Sequence, residues 1–274
     1  LTTENVAHKS STYTGKNLEF TWKEPDLGDL KNKTFDGYHR SNGKVGTANH
    51  WVFIPLVFCE SRNLEMLKSA LRKTLGYSFD DPYTTFAQEL RSSFENGADK
   101  EKLNKISSGS DKLSQKPLFA NVDGLKFLDH GLGCGGTRDD AKTLCGLIAG
   151  YITHPNVAGA TILSLGCQNA QVSILEEEIE NRDPNFKKPL LIFEQQKYGS
   201  EREMLNNAIR ETFIGLIEAN NCKRTPTPLS ELSLGVECGG SDGFSGISAN
   251  PTIGQCADLL VGLNGSVILS EFPE

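Results

Sequence analysis

The sequence has no apolar run that approaches the roughly 18 residues needed to span a bilayer, so no membrane partner is expected. It has no C-x-x-C pair, which argues against a closed structural zinc site. It has no Walker-type phosphate loop, which leaves nucleotide binding with little support. Basic charge is also scarce: 28 Lys and Arg stand against 35 Asp and Glu, a net charge of −7, and no basic block stands out. A nucleic-acid partner is therefore not expected. No charged-then-apolar leader opens the chain, and its first residue is Leu1 rather than Met, so upstream sequence is expected to be missing or removed. Disulfide-framework spacing is absent too. The seven cysteines are odd in number and scattered through a 274-residue chain that needs no staples. This predicts reduced thiols and a cytoplasmic protein.

What is present suits a globular chain with a sizeable core: 37% hydrophobic and 23% charged residues, enough length for one large α/β domain or two small ones. Residues 1–36 are polar and without sustained periodicity, and read as a linker or arm. Residues 37–274 read as an α/β catalytic-type domain. Within it, Gly37 to His50 is a loop by composition, and Trp51 to Phe58 is a continuous apolar run of the buried-strand kind. Leu64, Leu67, Leu71 and Leu75 recur at helical spacing, with Gly76 where a cap would sit. A second helix is expected near Tyr83–Phe94, and residues 97–117 read as a polar surface loop. Strands follow at Gly124–Asp129, Ala158–Leu165, Pro189–Phe193, Leu232–Val236 and Ser266–Leu269. Helices are expected after Thr137, around Val172–Ile179, after the Ser200/Glu203 capping box, and at Thr252–Leu263. This alternation predicts a doubly wound, mostly parallel sheet with helices on both faces.

Ligands in such folds bind outside the carboxyl ends of the strands. Four cysteines, Cys59, Cys134, Cys167 and Cys238, sit just after apolar runs, three of them beside glycine. Each one alone fits a buried structural cysteine; as a set, Cys134, Cys167 and Cys238 fit a soft-metal site. Cys145, Cys222 and Cys256 fall within or at the ends of predicted helices and read as packing. His130, before Gly131, is either a surface histidine or an acid–base or metal-binding group. In the first loop His39, Arg40 and Lys44 flank flexible glycines; they are either solvated or suited to hold a carboxylate. Gly239, Gly240, Ser241 and Asp242 read either as a capped turn or as a backbone nest around an ion or anion.

The segments GYHRSNGKVGTANHW, NVDGLKFLDHGLGCGG, HPNVAGATILSLGCQNA and GVECGGSDGFSGISANPTIG resemble, in order, those of the altronate dehydratase (altronate hydrolase) and galactarate dehydratase family. The resemblance covers roughly residues 37–271 and identifies the chain as the central portion of a longer enzyme, with parts missing on either side. It implies a hydro-lyase that converts a sugar acid, altronate favoured over galactarate, to a 2-keto-3-deoxy acid. It also implies a divalent metal, ferrous iron first and manganese second. The expected site is Cys134, Cys167 and Cys238 on the metal, His130, His39 and Asp242 in catalysis, and Arg40, Lys44, Gly239, Gly240 and Ser241 on the substrate. The competing readings are galactarate dehydration, sulfolactate desulfonation, and a non-catalytic binding domain.

Overall fold

The computed structural model of the chain describes residues 22–78, 82–107, 116–237, 239–240 and 242–270. These fall into a larger unit, 34–232, and a smaller one built from the described parts of 1–33 and 233–274. The larger unit runs β1 (Thr34–His39), β2 (Val45–Gly46), β3 (His50–Pro55), α1 (Ser61–Leu71), α2 (Pro82–Glu95), α3 (Lys100–Leu103), β4 (Gly124–Phe127), α4 (Arg138–Thr153), β5 (Val157–Ser164), α5 (Val172–Arg182), β6 (Leu190–Glu194), α6 (Glu201–Asn220) and β7 (Thr225–Pro228). The smaller unit holds β8 (Ser233–Glu237), α7 (Ala249–Gly262) and β9 (Ser266–Ser270).

The heart of the larger unit is a parallel sheet in the order β4-β3-β5-β6. Both of its faces are covered. In β3, alternate side chains serve opposite layers. Trp51 and Phe53 join Leu64, Leu67 and Leu71 of α1 and Met204, Ala208 and Leu216 of α6. Val52 and Ile54 join Leu144, Ile148 and Ile152 of α4 and Leu175 and Ile179 of α5. The doubly wound arrangement is thus present, with α1 and α6 on one face and α4 and α5 on the other. Trp51 is fully buried, and its indole N–H donates to Thr161 Oγ1 at 2.9 Å. Gly159 and Gly215 lie flat against its ring, where a Cβ would collide.

Apart from the ends of strands and helices, the structure departs from the expected elements in three places. The loop expected at 37–50 carries part of an antiparallel sheet, β2-β1-β7. Its hairpin closes through Arg40 N–H to Lys44 O at 2.9 Å, with Gly43 at φ +81°. Strand β7 reads Thr-Pro-Thr-Pro, and proline cannot donate to a ladder, so it pairs on one side only, as the edge partner of β1. Within the expected loop at 97–117, Asp99 caps the one-turn helix α3 by accepting from Lys102 N–H. Finally, β8 and β9 do not extend the main sheet. They pair with each other, in parallel, in the smaller unit.

Candidate functional site

In the order β4-β3-β5-β6, the chain leaves β3 toward β4 on one side and later continues through β5 and β6 on the other. The direction of winding reverses between β3 and β5, which makes their carboxyl ends the switch point where doubly wound sheets bind ligands. Three loops meet there, and backbone hydrogen bonds lace them together. Phe58 N–H donates to Leu132 O at 2.9 Å. Asn169 and Ala170 N–H both donate to Gly133 O, at 3.0 and 3.1 Å, and Asn169 Nδ2 donates to Cys134 O at 3.0 Å. Gly133, at φ +103°, lies so close to Leu56 O that no Cβ fits. Cys59, Cys134 and Cys167 are all exposed free thiols on these loops.

The spacing Gly131-x-Gly133-x-x-Gly136 between β4 and α4 also fits a dinucleotide turn, but here two of the three glycines serve the protein's own packing. Gly133 admits the β3 end, and Gly136, at φ +93°, faces the Asp140 carboxylate. That carboxylate accepts from Thr137 N–H at 2.7 Å and completes a capping box with Thr137, so a fixed negative charge already occupies the start of α4. The Thr137 bonds hold the Asp140 pKa below the usual carboxylate range.

His130 is at this edge, but its ring is committed. Nε2 lies 2.6 Å from Pro55 O, a group that only accepts, so Nε2 carries the hydrogen; Nδ1 accepts from Leu132 N–H at 3.2 Å. In this arrangement His130 staples the β4 loop to the end of β3. Asp129 beside it accepts from Ser61 Oγ at 2.6 Å and from His130 N–H. Gln168 is 2% exposed and is held by three partners: its Oε1 accepts from Gly166 N–H, and its Nε2 donates to Ser164 Oγ and to Ala170 O. The polar run Gln168-Asn169 after a buried strand was the sequence signal for these loop-setting groups.

The structure does not bring His39, Arg40 and Lys44 to this edge. Arg40 donates from Nε to Pro155 O at 2.7 Å, and from Nη2 to Ala48 O and Asn49 Oδ1 at 3.2 and 2.8 Å. Those acceptors precede β5 and β3, at the amino edge of the sheet, about 20 Å from the carboxyl edge for six-residue strands. Lys188 is nearby, donating to Ile152 O and His154 O at the end of α4. Burial, then Arg40 and Lys44, push its pKa down to about 7. His39 Nε2 pairs with Thr227 Oγ1 at 3.0 Å, and Lys44 is exposed. This edge is a packed cationic joint, and its arginine is spent on carbonyls.

In the smaller unit, a cleft of about 860 Å³ opens at the carboxyl ends of β8 and β9 and is lined by Gly239, Gly240 and Asp242. Asp242 Oδ1 accepts from Phe244 N–H at 2.7 Å and Ser245 N–H at 3.0 Å. These bonds, Ser245 first, lower its pKa. This is the capped-turn geometry. Cys238 and Ser241 lie outside the described residues. Of the cysteines expected to pack, Cys145 is buried, which pushes its thiol up to about 11, whereas Cys256 on α7 is exposed. Among the described residues no three His, Cys, Asp or Glu side chains converge to hold a metal. Cys134 and Cys167 alone do not make a complete donor set, so no chemical step is derived through a metal.

Residues 37–220 match the model of the second domain of D-galactarate dehydratase/altronate hydrolase, and residues 229–274 match the C-terminal D-galactarate/altronate dehydratase model. The chain belongs to the D-galactarate dehydratase/altronate hydrolase family. The second-domain match lies inside the larger unit and spans all three laced loops. Among curated relatives, altronate dehydratase of Bacillus subtilis (strain 168) is 31% identical over 89% of this chain and 40% of its own length. Altronate dehydratase of Escherichia coli (strain K12) is 28% identical over 92% and 42%. The (2R)-sulfolactate sulfo-lyase subunit beta of Chromohalobacter salexigens is 25% identical over 90% and 48%. The chain thus spans about two fifths of the length of the altronate dehydratases it matches.

Proposed function

We propose that this chain forms part of a sugar-acid hydro-lyase, with altronate as the favoured substrate and a 2-keto-3-deoxy acid as product. The observation that carries this reading is the position of the Cys134 and Cys167 loops, which meet at the switch point of a doubly wound sheet inside the matched second domain. In the reaction, a proton leaves the carbon beside the carboxylate and hydroxide leaves the next carbon. The enol that results becomes the keto acid, with one water lost overall. Such a step needs a base, an acid and a group that stabilises charge on the carboxylate. We place Cys134 and Cys167 at the reacting edge, with His130, Gln168 and Asn169 fixing the loops that present them. Dependence on a divalent metal, ferrous iron first, belongs to the same proposal and is tested by metal content.

Sulfolactate is the alternative substrate, favoured by the match to the sulfo-lyase subunit over 90% of this chain. The test is an anaerobic assay of the protein carrying this chain, with ferrous iron supplied and altronate, galactarate and sulfolactate offered in turn. Keto-acid release from altronate above the other two supports the proposal. Release of sulfite from sulfolactate with no turnover of either sugar acid would replace it.

A further inference from the structure

Glu60 follows Cys59 at the β3 edge and is fully buried, which is unusual for a carboxyl group. Its Oε2 accepts from Asn63 Nδ2 at 2.8 Å. Its Oε1 and the Asn63 Oδ1 are both buried and both without a partner. If Glu60 were ionised, these atoms would be two acceptors facing no donor, which is a costly arrangement. One proton on Oε1, donated to Asn63 Oδ1, would remove both deficits. A carboxylic acid opposite a primary amide closes a two-bond ring, with Nδ2–H donating to Oε2 and Oε1–H donating to Oδ1.

We propose that Glu60 carries a proton in the folded protein at neutral pH and, paired with Asn63 through two hydrogen bonds, is a positioning residue for the turn that follows β3. The turn matters because Phe58 bonds the β4 loop, and Ser61 Oγ holds Asp129. The surroundings favour the neutral form. Burial raises the Glu60 pKa, the Asn63 bond lowers it in part, and Glu201 in the first turn of α6 raises it again. Arg62 and Glu65 on its own helix are exposed, and Asp129 on the β4 loop is exposed and already bonded.

The sign of the pH effect follows. A carboxyl group whose folded pKa lies above its unfolded value binds more protons folded than unfolded between the two. Its contribution to stability is therefore full below the unfolded value and is lost as pH rises through the folded one. Glu60→Gln supplies a permanent amide donor to Asn63 Oδ1 and keeps the acceptor for Nδ2, so it mimics the protonated form at every pH.

The experiment is chemical denaturation of wild type, Glu60→Gln and Glu60→Ala across pH, with and without Mg²⁺ or Mn²⁺ and a chelator. It is joined by infrared difference spectra of wild type against Glu60→Gln at neutral pH. The expected result is a protonated-carboxyl band lost in Glu60→Gln. Wild-type stability should fall relative to Glu60→Gln as pH rises, and Glu60→Ala should be weaker than both. Absence of that band, or a Glu60→Gln deficit that is constant with pH, overturns the proposal. A stabilisation of wild type by the cation that is lost in Glu60→Gln would also overturn it, by assigning the two orphan oxygens to a metal ion. These readouts do not depend on turnover, so they stand or fall separately from the dehydratase reading.

Discussion

At the scale of single residues, Arg40 shows how far a charge can be from the job its type suggests. An arginine among glycines suits carboxylate capture, yet this one is half-buried and donates to three oxygens on two other segments and to Cys222 Sγ at 3.9 Å. Arg40→Ala should therefore cost stability, about 1–3 kcal/mol, because it strands buried acceptors. It should leave the Michaelis constant for the sugar acid unchanged. A shifted denaturation midpoint with unaltered substrate affinity is the expected pair of measurements; normal stability with weakened affinity would return Arg40 to the substrate. Pro155, the partner of its Nε, lies 115 residues away, and no local pattern in the sequence announces such a bond. By contrast, the Thr137 cap was legible because its partner, Asp140, is three residues on. His130 was legible by place, since it stands at a strand end, but not by role, because the carbonyl that fixes its ring comes from β3.

At the scale of elements, β3 to β6 and helices α1, α2, α4 and α5 were readable because apolar runs and 3.6-residue periodicity report directly on burial; the one-turn α3 was not. The reading overran at the end of β3. Leu56 and Val57 are fully buried, so the apolar run continues past Pro55, where the strand stops and the loops begin to lace. Strands β1 and β7 were hidden for the opposite reason: glycine, proline and polar residues carry them, and only their pairing makes them strands. The laced loops give a sharp contrast between neighbouring glycines. Gly133→Ala adds a Cβ against Leu56 O at a left-handed φ of +103° and should cost about 1–3 kcal/mol while disturbing the site. Gly135→Ala meets nothing within 4 Å and should stay within about 0.5 kcal/mol of wild type. Equal melting temperatures for the two variants would mean that the close approach of β3 and the β4 loop is not a constraint.

At the scale of the whole molecule, the parallel sheet was expected, and the separation of β8, α7 and β9 into their own unit was not. Strand–helix–strand alternation is the same whether the last strands join the first sheet or pair with each other, so periodicity carries no information on that choice. Among the described residues, both apolar layers of the main sheet are composed of residues between 51 and 219. Residues 34–232 produced alone should therefore unfold cooperatively in urea; a gradual, non-cooperative loss of signal would show that the layers depend on the rest of the chain. The central claim is that sugar-acid chemistry takes place at the carboxyl edge between β3 and β5, where the Cys134 and Cys167 loops are laced together. The most direct test is the anaerobic rate of keto-acid formation from altronate by Cys134→Ser in the protein carrying this chain, set against wild type and with folding verified. The account predicts a loss of about 100-fold, the scale on which misplaced site groups act, with stability retained. A correctly folded Cys134→Ser variant that turns over altronate at the wild-type rate would contradict it.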